Sequence, residues 1–210
     1  MSFNGFTQHD FDTFAIEGLE GRMEAIRERI QPKFKELGDS LCHDLSILAG
    51  NEMFLHIAKH ARRKVNPPVD TWMAFCPNKR GYKQVPHFQV GLFDDHVFIW
   101  LALIYELPNK GNIASRYMRE VDHLQKGLPS DFLLSFDHMK KDTVPVDELD
   151  HDGWNAALSR FRDVKKAELL IGRNIASVDP LLGKGEEFEQ LIKHTFETLM
   201  PLYRMAVNAE

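Results

Sequence analysis

Seven basic residues, Lys59, Arg62, Arg63, Lys64, Lys79, Arg80 and Lys83, fall within 25 positions of a chain whose formal net charge is −5. Asp70 is the only acidic residue among them, so the window carries a net +6. Positive charge gathered against the balance of the whole molecule creates a local field and a site for a counter-anion. Arginine forks suit bidentate phosphate or carboxylate, and lysine supplies a point charge. Lys59-His60-Ala61-Arg62-Arg63-Lys64 runs into Val65-Asn66-Pro67-Pro68, whose prolines hold the chain extended. Lys79-Arg80-Gly81-Tyr82-Lys83 follows the next apolar run, and Gly81 permits close approach of the backbone to a ligand. The competing reading is a solvated surface whose cations meet carboxylates from the acidic remainder of the molecule, since exposed pairs of that kind are common.

The histidines and acids elsewhere are weaker signals. His56 and His60 have the spacing of two metal ligands on one face. No Glu follows the first His, and Lys59 and Arg62 would repel a dication, so no metal site is expected. Asp150-His151-Asp152 directly precedes a helical pattern beginning near Trp154, where Asp is the expected cap. Asp163-Val164-Lys165 ends that pattern and lacks the upstream residues of a nuclease motif. No Walker loop, GxGxxG, GxSxG or HExxH is present, so no cofactor is implied.

The elements that must position the basic window divide the chain into three. The N-terminal third is helical. Thr7 can cap a short turn that buries Phe11 and Phe14, and Met23, Ile26, Ile30, Phe34 and Leu37 form an amphipathic helix that Pro32 kinks. Gly38 is expected to end it, with Asp39 or Ser40 capping a shorter helix lined by Leu41, Leu45 and Leu48. From residue 53 to 105 the pattern is one of strands: 54–62, 71–76, 87–93 and 96–105. Phe93-Asp94-Asp95-His96 reads as a two-residue hairpin turn, which sets Gln89 opposite Trp100 and His87 opposite Ala102. One sheet face then carries His87, Gln89, Gly91, His96, Phe98 and Trp100, and the other a plainly apolar set. Polar groups among aromatics suit a small-ligand pocket; the plainer reading of that face is a second layer of helices over hydrogen-bonded polar side chains. Further helices are expected at 112–125, around 154–164 and at 186–207, with strands at 132–136 and 168–175. The whole implies an α+β fold, a largely antiparallel sheet of five to six strands flanked by helices, in one domain spanning 1–210.

The 210 residues suffice for a substantial core, and 43% hydrophobic with 27% charged residues excludes disordered and collagen-like classes. The longest apolar run, Val97 to Tyr105, is about half of what a membrane-spanning helix needs. The first ten residues have neither the basic nor the apolar region of a secretory signal. Cys42 and Cys76 lack CxxC spacing and read as reduced thiols. A cytoplasmic protein is expected, and its acidic balance argues against non-specific coating of nucleic acid.

Several segments together resemble the YktB family of small bacterial proteins. They are Asp10-Phe11, Phe14-Ala15-Ile16-Glu17-Gly18-Leu19-Glu20, Ala58-Lys59-His60-Ala61-Arg62-Arg63, Asn66-Pro67-Pro68, Asp70-Thr71-Trp72 and Lys79-Arg80-Gly81-Tyr82-Lys83. Pro86-His87-Phe88-Gln89-Val90-Gly91-Leu92 and His96-Val97-Phe98-Ile99-Trp100 complete the match, which is densest from residue 58 to 106. The resemblance implies an α+β fold and a bacterial cytoplasmic setting, and brings no catalytic residues to carry over.

The residues themselves point to a binding protein for a phosphate-bearing ligand, either a nucleotide-like small molecule or a nucleic-acid backbone. Lys59, His60, Arg62, Arg63, Asn66, Lys79, Arg80, Tyr82 and Lys83 would form the anion site, and His87, Gln89 and Trp100 would contact a flat group. One alternative is an enzyme acting on a phosphorylated substrate with His60 or His87 as general acid or base. Another is a protein-interaction module whose basic patch docks an acidic partner.

Overall fold

The N-terminal periodicity folds as one long helical path rather than two helices. The computed structural model describes residues 3–209, in which α1 (Gln8–Phe11) leads to α2 (Leu19–Ala25), a π-helical turn (Ile26–Ile30) and α3 (Gln31–Ala49). Pro32 has no N–H, and its ring crowds the carbonyl four residues earlier. The wider turn absorbs both defects: the Gln31 amide bonds to the Ile26 carbonyl, five residues back. The expected stop at Gly38, with caps at Asp39 or Ser40, is corrected. α3 runs on to Gly50, whose left-handed φ of 75° returns its N–H to the Ser46 and Ile47 carbonyls. Gly38 serves packing instead, because a Cβ there would lie 2.7 Å from the Leu55 side chain. Ahead of α1, the Thr7 amide (2.7 Å) and hydroxyl (3.1 Å) both donate to Asp10 Oδ2. Lys33 Nζ lies 2.6 Å from the same oxygen, tying the first turn to α3.

The sheet has seven strands, one or two more than the sequence suggests. They are β1 (Phe54–Ile57), β2 (Thr71–Cys76), β3 (His87–Leu92), β4 (His96–Leu103), β5 (Leu133–Ser135), β6 (Thr143–Pro145) and β7 (Leu169–Ala176). Their order is β1-β2-β3-β4-β7-β5-β6, and every neighbouring pair is antiparallel. With the helices, this is an α+β architecture. The β3–β4 hairpin has the expected register, Gln89 opposite Trp100 and His87 opposite Ala102. β6 is too short, and too close to Pro145, to announce itself. The strand expected over 54–62 stops at Ile57, because the chain turns away at His60, a non-glycine residue with φ of 48°.

The helix expected over 112–125 is two, α4 (Lys110–Arg119) and α5 (Val121–Gly127), broken at Glu120. Ile113, Tyr117, Val121 and Leu124 are all buried across the break, so the apolar period persists where the backbone does not. α6 (His151–Asp163) begins as expected, with Asp150 Oδ1 accepting the Gly153 amide at 2.8 Å. α7 (Gly185–Val207) closes the fold.

Strand alternation gives the sheet two unlike faces. Met73, Phe75, Phe88, Val90, Ile99, Leu101 and Ile171 pack with the helices in one large core. Trp72, Ala74, Phe98, Trp100, Ala102 and Leu170 form a smaller second cluster with Ala58, Phe93 and Ile104, to which no helix contributes among the described residues. Loops cover this second face, in place of a helical layer. One is the excursion joining β5 to β6, whose His138 ring meets Trp72 edge-on at 6.0 Å and whose Lys141 pairs with Asp94 and Asp95. Gly172 lets Trp100 lie flat beneath: a Cβ there would run into the Ile99 carbonyl and come within 2.8 Å of the Trp100 ring. Gly172→Ala is therefore expected to cost about 1–3 kcal/mol as overpacking, read as a lower urea midpoint with an unchanged denaturant slope.

Candidate functional site

Three loops converge at one end of the second face. The first leaves β1 after the Ala58 amide bonds to the Trp72 carbonyl at 2.9 Å. It then turns at His60, whose left-handed conformation is unusual for a non-glycine residue and is held by its neighbours. His60 Nε2 lies 3.1 Å from Thr71 Oγ1, its ring meets Trp72 edge-on at 5.5 Å, and its carbonyl accepts the Arg63 amide at 3.0 Å. The second loop turns at Gly81, φ 73°, into a short 3-10 turn (Tyr82–Gln84). That turn folds Tyr82 back over the sheet, where its hydroxyl accepts the Trp72 indole N–H at 3.0 Å. Lys83 Nζ sits 5.5 Å from the centre of the Trp72 ring. The third loop is the β5–β6 excursion, which contributes Met139.

Between them lies a cavity of about 410 Å³ whose cationic rim is Lys59, Arg62, Arg63 and Lys83 and whose wall includes Trp72, Tyr82 and Met139. Glu106 also lines it, as its one carboxylate. The 59–63 segment also borders a second cavity, of about 520 Å³, where Lys59 and Arg63 share the lining with Glu20, Glu24 and Arg27. None of the seven cations of the basic window makes an ion pair with a carboxylate among the described residues. Carboxylates elsewhere, such as Asp10, Asp44 and Asp131, pair with lysines and arginines outside the window.

The structure thus gathers six of the twelve residues singled out from sequence: Lys59, His60, Arg62, Arg63, Tyr82 and Lys83. The other six lie elsewhere. Asn66 is exposed on the loop before β2, and Arg80 is exposed away from the cavity. Lys79 lies over the Phe54 ring at 5.2 Å. His87, Gln89 and Trp100 are buried in the second face. His87 Nδ1 meets the Val85 carbonyl at 2.8 Å and Nε2 meets the Gln89 amide at 2.8 Å, so the pair satisfies itself. Burial lowers the His87 pKa to about 3, and burial with Arg63 and Lys83 nearby lowers that of His60 to about 4. Both rings are neutral at pH 7. Burial likewise pushes the Tyr82 phenol up to about 12.

Two features escaped the sequence reading. Asp70, noted only as the lone acid of the basic window, is fully buried, and neither carboxylate oxygen has a hydrogen-bond partner among the described residues. Burial raises its pKa to about 6 against the opposing pull of His138, Arg63, Lys83 and its own backbone amide. An acid just behind a proline pair and ahead of a buried strand was the available signal. The second is His138 on the excursion, for which the sequence holds no signal. Its backbone N–H (2.7 Å) and Nδ1 (2.8 Å) both meet Glu168 Oε2, stapling the loop to the start of β7. Asp137, His138 and Glu168 bring three potential ligand atoms within 4.8 Å of one another, but this imidazole is committed to the carboxylate and Lys140 lies 3.9 Å from Asp137.

An antiparallel sheet with helices on one face, loops on the other and a basic cavity where those loops meet defines an α+β protein. Residues 6–203 match the family described as Domain of unknown function (DUF1054). The chain is 58% identical over 206 residues to a UPF0637 protein of Oceanobacillus iheyensis, covering 98% of each chain. It is 55% identical over 209 residues to one from Shouchella clausii, covering 100% of this chain and 98% of that one. A UPF0637 protein of Listeria welshimeri is 49% identical over 209 residues, with 99% and 100% covered. The chain belongs to this DUF1054/UPF0637 family, the one for which YktB is the family name.

The buried groups make stability depend on pH in opposite senses. His60 and His87 have folded pKa values below the ordinary 6.5, so the stability they contribute is present above that pH and is lost as pH falls toward 4 and 3. Asp70, raised from 3.8 to about 6, does the reverse: folding stability is lost as pH rises through that interval. Asp70→Asn is therefore expected to be more stable than the parent at pH 7.5, by about 1–3 kcal/mol. The gain should close toward pH 4, as followed by urea unfolding across the pH range.

Proposed function

We propose that this protein binds an anionic, phosphate-bearing small molecule in the cavity between the 58–63 segment, the Tyr82–Lys83 turn and Met139. The observation that carries the reading is the set of four rim cations, Lys59, Arg62, Arg63 and Lys83, with no ion-pair partner among the described residues. Four like charges gathered around the single carboxylate of Glu106 repel one another, and a bound anion relieves that repulsion. The size favours a small molecule over a duplex, because about 410 Å³ falls in the range of small-ligand pockets. Trp72, Tyr82 and Met139 supply apolar surface for the non-anionic part of the ligand.

Inorganic pyrophosphate serves as the probe, by isothermal titration calorimetry in low salt. Arg63→Ala and Lys83→Ala should each weaken it about 5- to 150-fold, the loss of one charged contact. Together they should fall short of the product of the two, since residues sharing a ligand couple. Arg80→Ala, in the window but outside the cavity, and Lys126→Ala, exposed on α5, should bind like the parent. Equal binding by all four variants would reject the cavity as an anion site. A salt dependence steep enough to imply many neutralised phosphates, seen with DNA in place of pyrophosphate, would favour nucleic acid instead.

A further inference from the structure

A buried acid lies where an anion site should exclude one. Asp70 precedes β2 and shares a strand face with Trp72, whose indole forms part of the cavity wall. The charged and titratable groups around it come from all three converging loops: Arg63 from the first, Lys83 and Tyr82 from the second, His138 from the third. Arg63, Lys83 and Tyr82 line the cavity themselves. His138 Nδ1 is taken by Glu168 at 2.8 Å, and no hydrogen bond joins its ring to Asp70. A carboxyl group that is fully buried with both oxygens unpartnered is costly, and an unsatisfied group of this kind demands a reason.

We propose that Asp70 is the proton-sharing partner of the anion site, and that the ligand is an oxyanion still able to carry a proton near neutrality, inorganic phosphate or a phosphate monoester, while sulfate is rejected. The proposal rests on the anion reading of the cavity. An ionised carboxylate only accepts hydrogen bonds, and fully ionised sulfate also only accepts, so the two oppose each other at close range. A phosphate monoester has its second pKa near 6 and so exchanges a proton around neutral pH. One proton between its oxygen and Asp70 turns two facing acceptors into a charge-assisted O–H···O bond. Asp70, itself held at about 6 by burial, can take or give that proton. Arg63 and Lys83 neutralise the remaining charge. Asp70 is fully buried and lies behind the lining of the cavity, so its contact with a ligand requires the side chains that cover it to move.

The test compares inorganic phosphate with sulfate on the parent protein and on Asp70→Asn, by calorimetry at pH 7, with thermal melting to verify that the variant is folded. The parent should prefer phosphate by at least about tenfold, the effect of one charged hydrogen bond made or opposed. The amide of Asp70→Asn can donate to either anion, so its ratio should fall below about threefold, mainly through gained sulfate affinity. Equal affinities on the parent would overturn the proton-sharing role while leaving the anion site intact. A tenfold preference that survives in Asp70→Asn would remove Asp70 from the selectivity. Failure of the parent to bind either anion would overturn both this inference and the reading beneath it.

Discussion

Strands β2, β3 and β4 are buried on both faces, and every other feature follows from the need to cover them twice. Each strand buries all of its residues, Thr71–Cys76, His87–Leu92 and His96–Leu103 alike. Helices supply one cover, with α3 and α7 laid against the large aliphatic side. Among the described residues no α-helix covers the other side, so three loops and a set of aromatic rings cover it. Loops that pack Tyr82 and Met139 inward around Trp72 must turn their polar residues outward. In this protein those residues are the basic ones. Cover and cavity are one construction.

The same geometry explains why an acid lies among the cations. The β2 register that places Trp72 over the second face also places Asp70 on it, two residues earlier, under loops that exclude water. Its carboxyl group meets a field from Arg63, Lys83, His138 and its own backbone amide, and neither oxygen has a well-formed hydrogen-bond partner among the described residues. Field without contact leaves a group that is electrostatically held but chemically unfinished. His60 is a second sign of local cost at this spot, since its left-handed backbone is held by Thr71, Trp72 and the turn to Arg63.

The strongest signals in the sequence were those of period and pairing. The β3–β4 register could be read residue by residue, because a two-residue turn leaves no freedom and alternation is strict. Helix stops were harder: Gly38 looked like a terminator but is a contact surface for Leu55, a fact that depends on a strand arriving from elsewhere. The break at Glu120 is silent because apolar spacing continues across it. Half of the proposed site residues meet in the cavity because they are close in sequence and lie on loops with nothing else to pair with. His87, Gln89 and Trp100 were also chosen for being polar or aromatic on one face, and the structure puts them beneath that cavity's wall. Sequence periodicity gives the face of a strand but not the depth of what lies above it. The Glu168–His138 staple joins segments 30 residues apart, a pairing no local pattern reveals.

The outermost strands, β1 and β6, have four and three residues, and β6 ends in a proline. An open sheet edge is a template on which another chain can add a strand and begin a fibril. Here one rim is cut short where the chain veers off at His60 and the other where Pro145 withholds its amide. The interior strands, though among the most β-prone in the chain, are thereby shielded at both flanks. The bend that shapes the cavity also guards the native sheet against runaway self-association.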